Sequence, residues 1–120
     1  MDTRRLYEPA AASGPGTIGG RHYTAYVDEV RGLRREGNDA EAERLLLDLV
    51  DAVEAEAGAE GWGVAPWYYE QLAIIYRKRK DHAAEVAILE RFAPQKHAPG
   101  ASPPKLLARL EKARRMREPE

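Results

Sequence analysis

The stretch Asn38-Asp-Ala-Glu-Ala-Glu-Arg-Leu-Leu-Leu-Asp-Leu-Val-Asp-Ala-Val53 decides the fold class. Ala42, Leu45, Leu46, Leu49, Val50 and Val53 recur three and four residues apart, while Asp39, Glu41, Glu43, Asp48, Asp51, Glu54 and Glu56 take the other faces. That period is the signature of an amphipathic helix with one face turned to a core. Asn38 followed by Glu41 has the form of a capping box, in which two side chains satisfy amides left open at a helix start. The helix is expected to end near Gly58. Upstream, Tyr23, Tyr26, Val30 and Leu33 share the same spacing and predict a helix from Arg21, stopped by Gly37.

Downstream, Gly61-Trp-Gly-Val-Ala-Pro66 reads as a connection, with Pro66 suited to a first helical turn where its missing N–H is harmless. Tyr69, Leu72, Ala73 and Tyr76 form the next stripe. Tyr68 and Ile75 widen it, so that helix should pack on two sides. Asp81 is placed to cap a further helix carrying Val86, Ile88, Leu89 and Phe92, and Pro94 ends it. Ser102-Pro103-Pro104 then has the signature of another start, with Leu106, Leu107, Leu110 and Ala113 on its apolar face. Residues 1–20 offer turns and no apolar period, and read as a flexible N-terminal arm. No alternating run is long enough for a sheet. The prediction is an all-α domain over residues 21–117, built of antiparallel helical hairpins at 21–58 and 65–93 and a C-terminal helix at 103–117.

Composition narrows the function classes. With 120 residues, one domain is the natural expectation, and 43% apolar with 32% charged residues is ordinary for a soluble globular chain. Nineteen basic residues against twenty acidic ones give a net charge of −1, which creates no global field toward nucleic acid or membrane. The chain has no cysteine, which removes disulfides and thiolate chemistry, and cytoplasmic residence is the default expectation. The apolar run at Leu45–Val50 is far shorter than the roughly 18 residues of a membrane helix. Arg4-Arg5 lead into Leu-Tyr-Glu-Pro, which argues against a signal peptide.

Aligning Arg35-Glu-Gly-Asn38 with Lys78-Arg-Lys-Asp81 superposes Leu33 on Tyr76, Tyr26 on Tyr69 and Leu46 on Leu89, an internal repeat at an offset of 43 residues. Tyr69-x2-Leu72-Ala73-x2-Tyr76 and Ala42-x3-Leu46 together resemble the tetratricopeptide repeat, whose pattern is W-x2-L-G-x2-Y followed by A-x3-F over roughly 34 residues. Glu85 stands where that pattern has a small Ala, and Glu29-Val30 replace its Leu-Gly. The segment Glu60-Gly-Trp-Gly-Val-Ala-Pro-Trp-Tyr-Tyr-Glu70 also looks like one in small bacterial tetratricopeptide-like proteins. The resemblance covers residues 22–92. It implies stacked hairpins with the last helix as a cap, and a concave groove lined by the first helix of each hairpin.

Catalytic chemistry is hard to assemble from these residues. Gly14-Pro-Gly16-Thr-Ile-Gly19 spells the G-x-G-x-x-G dinucleotide fingerprint, but lacks the preceding strand and following helix that make it a phosphate site. His22, His82 and His97 have no ligand partner at helical spacing, so neither metal nor cofactor is expected. The acids of residues 39–60 read as a solvated helix face, Ser13 falls in the arm and Ser102 is a cap. A non-enzymatic role is therefore expected.

Charge distribution carries the functional reading. Residues 39–60 hold eight acids and one Arg, whereas Arg31, Arg34 and Arg35 cluster on the first helix and Arg77 to Lys80 on the third. Carried over from the resemblance, Arg31, Arg34, Trp67, Glu70, Ile74, Arg77 and Lys78 are the groove candidates, a basic surface for an acidic or extended peptide. Basic residues in a last helical turn also answer the helix dipole, which is an alternative origin of the same pattern. Trp62, between two glycines, is a candidate exposed anchor. Two further functions stay open: nucleic-acid association through the basic clusters, and self-association of an array with only two repeats.

Overall fold

The computed structural model describes residues 14–117; the expected arm's first thirteen residues lie outside that range. The protein is mostly helical, as expected for the all-α class. Among the described residues the helices are α1 (Val27–Arg35), α2 (Asp39–Glu60), α3 (Trp67–Lys78), α4 (His82–Phe92) and α5 (Ser102–Arg117). None is long and apolar enough to cross a membrane. The chain divides into two compact units, Met1–Gly61 and Trp62–Glu120, with the boundary in the glycine-rich connection after α2.

In the first unit the expected arm is corrected in part. Residues 14–22 form a small hairpin, with β1 (Thr17–Ile18) paired antiparallel to β2 (Arg21–His22) in the register Thr17 to His22 and Ile18 to Arg21. Its two-residue turn is Gly19-Gly20, with φ of +56° and +82°, the left-handed pair that a tight right-twisted hairpin needs and that glycine adopts without strain. The sequence signal was present as a Gly-Gly dipeptide, but two residues per strand are too few to show a period. The fingerprint-like glycines thus belong to a hairpin and its lead-in. The expected helix from Arg21 also starts later: Tyr23–Tyr26 is a single 3-10 turn leading into α1. Tyr26 is buried, its hydroxyl donates to the Ile18 carbonyl, and the Arg21 guanidinium lies 4.2 Å from its ring centroid. Both the hairpin and α1 pack on α2, whose buried stripe is Ala42, Leu46, Leu49, Val50, Ala52 and Val53.

In the second unit α4 packs on both α3 and α5. Tyr68, Tyr69, Leu72, Ala73, Ile75 and Tyr76 of α3 are buried, with Val86, Ile88, Leu89 and Phe92 of α4 and Leu106, Leu110 and Ala113 of α5. Tyr69 and Phe92 meet with ring centroids 5.1 Å apart at 58°, a tilted geometry that favours aromatic pairs. Asp81 caps α4 as expected, accepting from the Ala84 amide at 3.1 Å. Asn38 also occupies a cap position but makes no side-chain cap bond to the backbone; its amide instead reaches Glu41 at 3.4 Å. Helix α2 runs two residues past the expected end, closed by Gly61 at φ +74°.

The internal repeat is visible in the turns. After α1, Glu36 N–H donates to Gly32 O, Gly37 N–H to Arg34 O and Asn38 N–H to Leu33 O; after α3, Arg79 N–H donates to Ile75 O, Lys80 N–H to Arg77 O and Asp81 N–H to Tyr76 O. The two sets correspond bond for bond at the 43-residue offset. Each is a helix end closed by one left-handed residue, Gly37 at φ +76° and Lys80 at φ +60°. Lys80 carries a Cβ in a region that penalises it by about 1–2 kcal/mol. Replacing Lys80 with Gly should therefore raise the midpoint of urea unfolding, and Gly37→Ala, with open space around its Cβ, should lower it by about 1 kcal/mol from strain alone.

Candidate functional site

Helix α3 sets its faces through one residue choice after another. Its broad aromatic and aliphatic stripe is buried, so Trp67, Glu70, Gln71, Ile74 and Arg77 fall on the remaining face as half-buried positions and Lys78 is exposed. The five groove candidates of α3 therefore share one side of one helix. Trp67 is steadied there by an edge contact with Tyr68, with ring centroids 5.0 Å apart at 85°. Arg31 and Arg34 lie on α1 in the first unit, where Arg31 is exposed and 4.0 Å from Asp28 and Arg34 is half-buried. Trp62, the other expected anchor, is 60% exposed. Its loop is held by a bridge in which Val64 N–H donates to Lys96 O at 2.7 Å and Ala98 N–H to Val64 O at 3.2 Å. His97 extends the brace: its ring stacks on Phe92 at 4.1 Å and 3°, and its Nε2 lies 2.9 Å from the Phe92 carbonyl.

Arg77 has a different task from that of a groove cation. Its Nε donates to Glu85 Oε1 at 2.9 Å and its Nη2 lies 2.7 Å from Oε2, while Arg109 Nε donates to the same Oε2 at 2.9 Å. The Glu85 side chain is wholly buried, and the two guanidiniums keep 23% of their side-chain surface. A lone carboxylate in that place would carry a desolvation penalty of several kcal/mol, which only close cations and directed hydrogen bonds offset. Two forked guanidiniums supply both. The first turn of α4 adds its positive pole to the same carboxylate. This cluster joins α3, α4 and α5. Sequence reading recognised Glu85 only as a departure from a small residue; its partners stand 8 and 24 residues away. One signal pointed to burial: Glu85 precedes Ile88 and Leu89 by three and four residues, on the apolar stripe of α4.

A second polar cluster lies in the first unit. Glu56 of α2 accepts from the Tyr23 hydroxyl at 3.0 Å through Oε1, and its Oε2 is 2.7 Å from His22 Nε2. The other ring nitrogen of His22 faces Thr24, 2.9 Å from its hydroxyl. With Nε2–H donating to Glu56, Nδ1 is left as acceptor, so one tautomer satisfies both contacts. The cluster staples the hairpin to α2. Burial, then the hydrogen bond to Glu56, pushes the Tyr23 phenol up to about 12. Among the described residues, no group of three or more His, Cys, Asp or Glu side chains is placed to hold a metal ion.

Two outcomes follow from these clusters. Truncation of Glu85 to Ala should destabilise the protein by about 2–4 kcal/mol in urea unfolding, below the loss for a fully enclosed pair because both guanidiniums keep an edge in water. Adding Arg109→Ala to that variant should cost little more, since the partner is already gone. The fold favours the neutral Tyr23 phenol, so its contribution is intact below about pH 10 and is lost as pH rises toward about 12. An ultraviolet titration of tyrosinate should show a late component that disappears in Tyr23→Phe. No protein-family description matches the sequence, and neither a characterised protein nor a solved structure shows significant similarity to it.

Proposed function

We propose that the chain is a non-catalytic, cytoplasmic helical-hairpin module of tetratricopeptide type that binds an acidic, extended peptide segment along the outward side of α3. The observation that carries this reading is the run Trp67, Glu70, Ile74 and Lys78 on a single helix face, behind which every other α3 position is buried or half-buried. From Trp67 to Lys78 it spans roughly 16 Å of helix, room for an aromatic contact, an aliphatic contact and a charge in sequence. The bond-for-bond repetition of the turns after α1 and α3 supports the repeat character of the module. Arg31 and Arg34 stand on α1 of the first unit, the helix that corresponds to α3 in the repeat. Arg77 takes a positioning part, because Glu85 holds it.

This assignment favours a peptide over a nucleic acid. At α3 a phosphate backbone finds too few cations, since it requires several unneutralised ones side by side and Arg77 is already paired with a buried carboxylate. The test is fluorescence anisotropy with a panel of labelled, unstructured peptides rich in Glu and Asp and carrying single Leu or Trp residues. Members of the panel should bind the wild type, and Lys78→Glu should weaken binding by about tenfold through the reversed charge. Ile74→Asp should do the same without touching a cation. Equal affinity for wild type and variants would dismiss the α3 reading, and tight, steeply salt-dependent capture of a labelled single-stranded oligonucleotide in place of peptide would replace it.

A further inference from the structure

A different pair of faces shows a complementarity that neither the peptide reading nor the fold requires. Helix α5 buries Pro103, Leu106, Leu110 and Ala113. Its opposite side presents Lys105, Ala108, Lys112 and Arg115, spaced by three and four residues and all exposed. Arg109 and Arg114 are neutralised by Glu85 and Glu90, whereas Lys105, Lys112 and Arg115 have no ion pair among the described residues. Met116 stands at the edge of this stripe with 41% of its surface exposed. The result is a cationic helix face with an apolar projection beside it.

The first unit carries the counterpart. Between the β hairpin and α2 is an open depression lined by Pro15, Thr17, Ile18, Asp48, Asp51 and Ala55, with Ala52 in its floor. Its floor is aliphatic and its rim acidic, and Asp48 and Asp51 are both exposed. Helix α2 as a whole holds eight acids and one Arg, while α5 holds six bases and one acid. Like charges concentrated on separate helices repel within each face and attract between copies. We infer that this protein associates with itself head to tail, the Lys112–Arg115–Met116 edge of α5 in one copy seating in the Asp48–Asp51 depression of the next.

Met116 supplies the apolar contact that fills the depression, and Lys112 and Arg115 beside it meet the two aspartates. Arg115 is suited to a forked contact with one carboxylate and Lys112 to a point contact with the other. The two faces are different patches, one on each unit, so the contact is heterologous and a pair of copies leaves one face of each kind open to a further copy. The association depends on salt, because exposed ion pairs separated by water are screened within about 10 Å at moderate ionic strength.

Sedimentation velocity on the full chain over a wide concentration range, at low and high salt, reads this directly. Wild type should show concentration-dependent species larger than the monomer that recede as salt rises. Asp51→Lys and Arg115→Glu, each at an exposed position, should each shift the association midpoint by about tenfold or more, and Met116→Asp should do so without altering the rim. Circular dichroism establishes that each variant is folded. The decisive arm mixes the two charge variants. Each retains one intact face, so Asp51→Lys offers its α5 to the depression of Arg115→Glu, and the two reversed faces are complementary to each other, so the mixture should regain the association that neither variant shows alone. A wild type that stays monomeric throughout overturns the inference. So does association that survives both reversals, or a mixture that fails to pair.

Discussion

Glu85 is a carboxylate with no access to water, and the second unit is arranged around that constraint. An ionised carboxylate in a low-dielectric place is tolerated only where cations and directed donors replace the lost hydration. The chain meets this with Arg77 from α3 and Arg109 from α5, each with its Nε on a different carboxylate oxygen. Because Glu85 itself belongs to α4, three helices are fixed in rotation by one side chain. Apolar packing alone leaves a helix some freedom to slide and turn, whereas two hydrogen bonds to one buried carboxylate do not. The face that α3 turns outward is therefore set from behind, by the same arginine that seemed from its sequence position to be part of that face.

The first unit uses a smaller version of the same device. Glu56 on α2 receives Tyr23 and His22, and the hairpin that precedes α1 is thereby tied to the helix it packs against. Both carboxylates sit in helices and both draw partners from elements far away in sequence. In each case a polar bond ties an element to the helix it packs against, the hairpin to α2 and α5 to α4.

These distances explain what the sequence could and could not reveal. The helices were legible because their signal is local: Ala42 to Val53 repeats at helical spacing within a single segment, and Asp81 caps α4 three residues from its target. The equivalence of the two turns was legible for the same reason, since Arg35 to Asn38 and Lys78 to Asp81 are four-residue patterns. Even the odd member, Lys80 in place of Gly37, adopts the left-handed conformation its position demands. The hairpin was missed because its strands are shorter than any period. The role of Arg77 was missed because a cluster of bases in a last helical turn is the same string of letters whether each base faces solvent or a buried acid.

That last ambiguity bears on function more than on fold. The sequence contains nineteen bases, and a count of bases is a poor measure of the surface a partner meets. Arg77 and Arg109 answer Glu85, Arg114 answers Glu90 and Arg21 answers Glu29. Once those are set aside, α5 keeps Lys105, Lys112 and Arg115 exposed on its outer stripe, and α3 is distinguished by its aromatic and aliphatic side chains. The two surfaces therefore suit different contacts. In the peptide reading proposed above, a face in which Trp67 and Ile74 provide the apolar area would read the shape and side chains of an extended segment, and its few charges would select among such segments. A face composed of Lys105, Lys112 and Arg115 reads charge first, and gains specificity only where a partner adds an apolar socket for Met116, as the depression beside Asp48 and Asp51 does.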